Sequence, residues 1–257
     1  MNRPKQYSRR DMLAMTGVGA TLKWPFRQLP WWRPKQVAIA GAEFQIVRSK
    51  IKHQPSRRRY LLIHGDEETA RAILTRHMQT HSGIAFLAEN KTRNVAIDSG
   101  QIDPNRMFSR RGAELSLKNL NPGWSQAQIE TALDLLDRER EPFLSVVLPS
   151  DGALMVALHN NTQYSFDSEA PASDQSAHNQ PDQPHAFFLC TDAADFQLLA
   201  KSPYNVVLQR YMRAPDDGSL SRRAAARRLR YVNLEVGMGD AARQQEMLDW
   251  LEKNLPQ

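Results

Sequence analysis

Cysteine is almost missing from this chain: Cys190 is the single one among 257 residues. One thiol cannot close an internal disulfide, so the fold has to rest on a packed core, and cysteine usage leaves the redox compartment open. Cys190 closes the apolar run Ala186-Phe187-Phe188-Leu189-Cys190 and reads as a small buried strand residue rather than a nucleophile. Long apolar runs are missing too. None approaches the roughly 18–20 residues a membrane-spanning helix requires, so no spanning helix is expected. No internal repeat is visible. Aromatic residues make up 8% of the chain and are not interleaved with the basic clusters. That argues against a single-strand nucleic-acid binder, and no nucleic-acid partner is expected.

What is present fits one globular domain. Apolar residues are 41% and charged residues 24% of the chain, and its length suffices for one sizeable buried core. The formal net charge is +6, gathered in Arg9-Arg10, Arg57-Arg58-Arg59, Arg110-Arg111 and the segment Arg222 to Arg230. Such clusters can meet an anionic polymer or lipid, but a solvated face or an export signal is the simpler reading.

The first forty residues support the export reading. Ser8-Arg9-Arg10-Asp11-Met12-Leu13, followed by the weakly apolar Ala14 to Leu22, resembles a twin-arginine export signal. Lys23-Trp24-Pro25-Phe26 and Trp31-Trp32-Arg33-Pro34 interrupt the expected run. Ala38, Ala40 and Ala42 offer a late small-residue cleavage site. Residues 1–42 are therefore expected to be a signal or a flexible basic arm able to touch a membrane transiently, and 43–257 the folded domain. The location this implies is the periplasm.

Beyond that point, strands and helices alternate. Strands are expected at Phe44–Val47, Tyr60–Ile63, Ile84–Ala88, Asn94–Ile97, Phe143–Leu148, Leu154–Leu158, Ala186–Cys190 and Tyr231–Val236. Helices are expected at Thr69–Gln79, Ser125–Arg138 with Ser125 as cap, Asp192–Ala200 and Asp240–Leu255, and Arg222–Arg230 is a basic segment that can be helical. Asp167–Pro184, rich in Ser, Asp, Gln and Pro, reads as a mobile loop. The fold class is α/β: a single three-layer domain, with a mixed twisted sheet between helices.

Three apolar strands end on, or contain near their end, a chemically capable group. His64 follows Leu61-Leu62-Ile63, His159 follows Val156-Ala157-Leu158, and Glu235 follows Val232-Asn233-Leu234. Small-molecule sites in open α/β sheets collect at the carboxyl ends of strands. His64 and Glu67 stand at i, i+3 across a glycine, a spacing at which a tight turn can bring an imidazole and a carboxylate to one ion. His159 would be the third ligand. Zinc takes such nitrogen and oxygen ligands and keeps a position open for water. Asp66 and Glu68 compete with Glu67 for this role.

His64-Gly65-Asp66-Glu67, Asp103-Pro104-Asn105-Arg106-Met107-Phe108, His159-Asn160-Asn161 and Asn233-Leu234-Glu235 together resemble the ordered motif set of the zinc carboxypeptidases. The His-Gly-x-Glu form is also similar to the related succinylglutamate desuccinylase and aspartoacylase group. The resemblance implies one zinc ion held by His64, Glu67 and His159. It implies Asn105 and Arg106 as the pair that grips the substrate's free carboxylate, for which a planar guanidinium fork is suited. It implies Glu235 as the general base that moves a proton from water to the leaving nitrogen. The family's oxyanion-stabilising arginine has Arg93 as a candidate by position, and its substrate-side tyrosine has Tyr204 or Tyr211. His77, His81, His178 and His185 are not expected to be ligands, and the His77/His81 pair is expected on a helix surface.

Three functions compete. The first is a periplasmic, carboxypeptidase-like zinc hydrolase acting on peptides, including cell-wall peptides. The second is a deacylase of N-acyl amino acids of the desuccinylase type. The third is a non-catalytic protein that binds an anionic polymer or lipid through the basic clusters. The oligomeric state is not legible.

Overall fold

Strands buried on both faces need cover on both sides, and the continuous apolar runs here have it. The computed structural model describes residues 35–49, 51, 56–149, 152–211 and 213–256. The twin-arginine stretch and the tryptophan-rich segment lie outside them. In chain order the elements are β1 Gln36–Ile39, β2 Ala42–Arg48, β3 Arg59–Leu62, α1 Glu68–Thr80, β4 Ile84–Ala88, β5 Val95–Ile97, β6 Gly100–Ile102, α2 Arg110–Leu120 and α3 Gln126–Val147. There follow β7 Met155–Asn161, α4 Phe166–Glu169, β8 Gln175–Ala177, β9 Phe187–Cys190, α5 Ala193–Leu199, β10 Asn205–Leu208, α6 Leu220–Ala226, β11 Tyr231–Gly237 and α7 Ala241–Asn254.

Among the described residues, nine strands form one mixed sheet in the order β1-β2-β4-β3-β7-β11-β9-β10-β8. The central β4, β3, β7 and β11 run parallel to one another. Antiparallel neighbours flank them: β2 pairs with β4, and β9 with β11. β5 and β6 form a separate hairpin.

Strand side chains alternate between faces, so each core strand feeds two clusters. Leu62, Val156, Leu158, Val232, Leu234 and Phe188 pack under α1, α5 and α7 through Ile73, Leu74, Phe196, Met247 and Leu251. Leu61, Met155, Ala157, Phe187 and Tyr231 pack on the opposite face under α2, α3 and α6, through Leu117, Leu133, Leu136, Phe143 and Leu220. The expected three-layer α/β domain is what forms.

Several local expectations fail for identifiable reasons. Phe143–Leu148 is not a strand. Phe143, Leu144 and Val147 continue the stripe of Ile129, Leu133, Leu136 and Arg140, and α3 runs through Pro142 to Val147. The capping box of Ser125 and Gln128 starts that helix where expected. Asp167–Pro184 is not wholly loop: α4 begins just before it, and β8 adds an edge strand to β10. β1 and β10 have four residues each, too few to show a period, and α2 is a further helix, which buries Ala113, Ser116 and Leu117. The sheet also begins earlier than residue 43, because β1 pairs with β2 and Ile39 and Ala42 are in the core. Cleavage at the Ala38-Ala40-Ala42 spacing would cut inside that hairpin.

His77 is buried rather than on a helix surface. It stacks on His81 with ring centroids 3.9 Å apart, and its Nε2 lies 3.4 Å from Glu252. The same carboxylate accepts from Tyr60 Oη at 2.7 Å and pairs with the buried Arg58. This is a polar clasp tying β3 and α1 to α7.

Candidate metal centre

The parity that builds the two cores also builds the site. His159 and Asn161 on β7, and Asn233 and Glu235 on β11, share the face of Ala157 and Tyr231. The parallel ladder puts Glu235 opposite His159. At these positions, near the carboxyl ends of their strands, the apolar core gives way to polar groups.

The turn after β3 supplies the other half. Gly65 is required by close approach: a Cβ there would lie 2.2 Å from Asn90 O. Gly65 N–H donates to Thr92 O, and Arg71 donates to Gly65 O, Ala88 O and Asn90 O, which pins the turn to the loop after β4. Glu67 stands at the N-terminal boundary of α1. Asn160, on the other face of β7, accepts from Ala70 N at 2.8 Å and donates to Gln244, which in turn donates to His159 O. The helix led by Glu67 and the strand carrying His159 are thus locked together.

His64, Glu67 and His159 are all buried, and each offers a ligand atom within 4.8 Å of the others. Glu67 Oε1 lies 2.9 Å from His64 Nδ1 and 3.3 Å from His159 Nδ1, while Glu67 Oε2 is buried with no hydrogen-bond partner. A buried carboxylate oxygen left without a partner costs free energy unless something else meets it. Two imidazoles and a carboxylate form a donor set that fits a divalent ion of the zinc kind. Of the competing acids, Glu68 is exposed and Asp66 falls outside this trio.

Asp103, which the sequence reading passed over, accepts from His64 Nε2 at 2.9 Å and from Asn105 N at 2.8 Å. Burial works against the charge on His64, but the Asp103 and Glu67 carboxylates outweigh it and raise its pKa to about 9. Burial would likewise raise Glu67, yet His159 and His64 hold it down at about 2. Its place one residue before the Pro-Asn-Arg motif was the available signal for Asp103.

Glu235 is buried, with Oε1 accepting from Asn233 Nδ2 at 2.9 Å and Oε2 from Asn161 Nδ2 at 3.1 Å. Asn105 and Arg106 sit in the 3-10 turn Pro104–Arg106. Asn105 Oδ1 accepts from Leu220 N, so the donor end of its amide is the part open to a ligand. Arg106 is partly exposed and lies 3.3 Å from Asp217. Arg93 approaches Glu67 Oε1 at 3.5 Å. His64, Glu67, His159, Glu235, Asn105, Arg106 and Arg93 line one cavity of about 420 Å³.

Tyr204 is in the opposite core and Tyr211 projects outward, so neither joins the cavity. Tyr164 does, and was missed. It donates to Glu169 Oε2 at 2.9 Å. Burial pushes the Glu169 carboxyl up, but both of its oxygens accept hydrogen bonds, the second from Gln209. The basic segment is not a uniform solvated face: Arg222 is buried, Arg223 and Arg227 pair with Glu141, and Arg230 pairs with Asp195. Arg110 is similarly engaged by Glu130, Asp134 and Asp137.

No family model and no curated protein matches this chain. Among solved structures, the chain is similar to a candidate succinylglutamate desuccinylase/aspartoacylase from Shewanella frigidimarina NCIMB 400, with 13% identity, 85% of this chain and 70% of that chain covered, and a TM-score of 0.38. It is similar to candidate metallopeptidases from Shewanella denitrificans OS217 (12% identity, 82% and 79% covered, TM-score 0.39) and Shewanella amazonensis SB2B (11% identity, 86% of each chain, TM-score 0.39).

Proposed function

We propose that this protein is a zinc-dependent hydrolase that cleaves an amide bond next to a free carboxylate, in a peptide or an N-acyl amino acid. The observation that carries the reading is the buried trio of His64, Glu67 and His159 with Glu67 Oε2 left unpaired.

These three side chains would hold one zinc ion, which when bound acidifies water and polarises the scissile carbonyl. The chain's own groups supply the rest. Glu235 is positioned as general base by Asn233 and Asn161, and would pass the proton it takes from water to the leaving nitrogen; such transfers contribute about 10²- to 10⁴-fold. Arg106 and the Asn105 amide nitrogen would orient the substrate carboxylate. Arg93, half-exposed beside Glu67, would donate to the oxygen on which charge builds. Asp103 would hold His64 by its Nε2–H and leave Nδ1 turned toward Glu67.

The twin-arginine pair supports a periplasmic location, where peptides of the cell wall carry amide bonds of this kind. The binding-protein alternative is weakened by the ion pairs that engage Arg110, Arg223, Arg227 and Arg230.

The test is metal content together with turnover. One zinc per chain is expected by elemental analysis, lost in His64→Ala and His159→Ala. Full hydrolysis of N-acyl amino acids and peptides by the zinc-free protein would overturn the reading.

A further inference from the structure

Beyond the roles assigned above, the cavity has an inner wall formed by Arg222, Gln209 and the free amide oxygen of Asn233. Arg222 on α6 lines it with a side chain 6% exposed, and its Nη1 has no hydrogen-bond partner. Gln209, just past β10, lines it too. Its Nε2 donates to Glu169 Oε1 at 2.9 Å, while its Oε1 is buried and unpartnered. Asn233 donates to Glu235 and leaves its own Oδ1 buried and unpartnered. Glu169 Oε1 stands 3.8 Å from Arg222 Nη2, so the charges here nearly balance.

The inner wall therefore presents one orphan donor and two orphan acceptors around a neutralised ion pair. An aliphatic group entering it would leave all three unpaired, at the full desolvation cost of each. A carboxylate would satisfy Arg222 but face the oxygens of Gln209 and Asn233. A group with an acceptor and an N–H donor side by side, and no net charge, answers the whole set.

We infer that the inner wall is a specificity subsite for a substrate side chain ending in such a head, a carboxamide. Arg222 meets the oxygen, and Gln209 or Asn233 accepts from the nitrogen. This rests on the proposed hydrolase reading for the reaction, but not for the binding.

Calorimetric titration of the zinc-loaded protein with glutamine, glutamate and norleucine tests it. Glutamine is expected to bind about 10- to 100-fold tighter than glutamate and norleucine, the scale of leaving one buried polar group unsatisfied. Arg222→Met should abolish the preference. Gln209→Leu, which keeps the cationic group, should weaken it, and serves alone if Arg222→Met does not fold. Equal binding of norleucine or glutamate, no binding of any probe, or a preference that survives Arg222→Met overturns the subsite. Selective binding without amide hydrolysis would keep the subsite and sink the hydrolase; hydrolysis without selectivity would do the reverse.

Discussion

His159 and Glu235 are Cα partners on adjacent parallel strands, β7 and β11. Two neighbouring strands with the same phase thus bring a ligand-type imidazole and a buried carboxylate to one end of the sheet. Because Glu235 is held by Asn161 and Asn233 rather than by the histidines, the two roles are separable. Glu235→Gln should keep one zinc per chain and lose about 10²- to 10⁴-fold in kcat, the usual worth of a general base. Unchanged turnover in this variant would remove Glu235 from the mechanism.

Proton release is expected on metal uptake. Without an ion, the two carboxylates beside buried His64 hold its pKa at about 9, above its unfolded value. The imidazole is therefore charged at pH 7 and must lose its proton to become a ligand. Apparent zinc affinity should rise with pH and flatten above about 9. In the metal-free protein the sign reverses: the stability contributed by charged His64 is full below the unfolded histidine value and fades as pH rises through about 9. Zinc titrations at pH 7 in buffers of differing ionisation enthalpy measure the release. Zero protons released would contradict the assignment of His64.

Asp103 is predicted to matter through the metal. Asp103→Asn keeps an acceptor for Asn105 N but removes the charge opposite His64 Nε2. Loss of an outer partner of a metal-bound histidine typically costs about 10- to 100-fold in affinity. Competition with a chelator of known affinity reads this directly, and an unchanged zinc affinity would count against it.

Gly65→Ala should be damaging without touching any ligand. Its Cβ would fall 2.2 Å from Asn90 O and 2.8 Å from Thr92 O, both backbone atoms. Overpacking costs about 1–3 kcal/mol, and here the strain would fall on the turn between His64 and Glu67. A lower melting temperature and sub-stoichiometric zinc are expected together. Full zinc occupancy with wild-type stability would show the turn to be more yielding than the structure indicates.

Glu252 sets a stability term remote from the site. Burial opposes its charge, but His77, Arg58 and Tyr60 hold its pKa below the ordinary glutamate range. Its contribution is therefore present above that range and lost as pH falls through the depressed value. Glu252→Gln leaves buried Arg58 uncompensated, which for a buried pair costs about 3–5 kcal/mol. Denaturant midpoints from pH 3 to 7 should show a slope in the wild type that is reduced in the variant.

The sequence by itself determined the layered α/β class and that His64, His159 and Glu235 stand at or near the ends of apolar strands, because runs such as Leu61-Leu62-Ile63 and Val156-Ala157-Leu158 carry their period and their ending in local order. It also marked Ser125, Asp192 and Asp240 as helix starts, since caps are local chemistry. Tertiary structure decided what depends on neighbours distant in the chain. Pro142 proved compatible with helix because Phe143, Leu144 and Val147 have a core to meet. His77 proved buried because Tyr60, Arg58 and Glu252 converge on it. Asp103, Asn161 and Tyr164 acquired their contacts, and Arg222 its unpaired guanidinium nitrogen, from the sheet order β3-β7-β11-β9-β10. A charged or polar side chain carries no local mark of whether water or another side chain will surround it. That is settled only when the strands pair and the helices close over them.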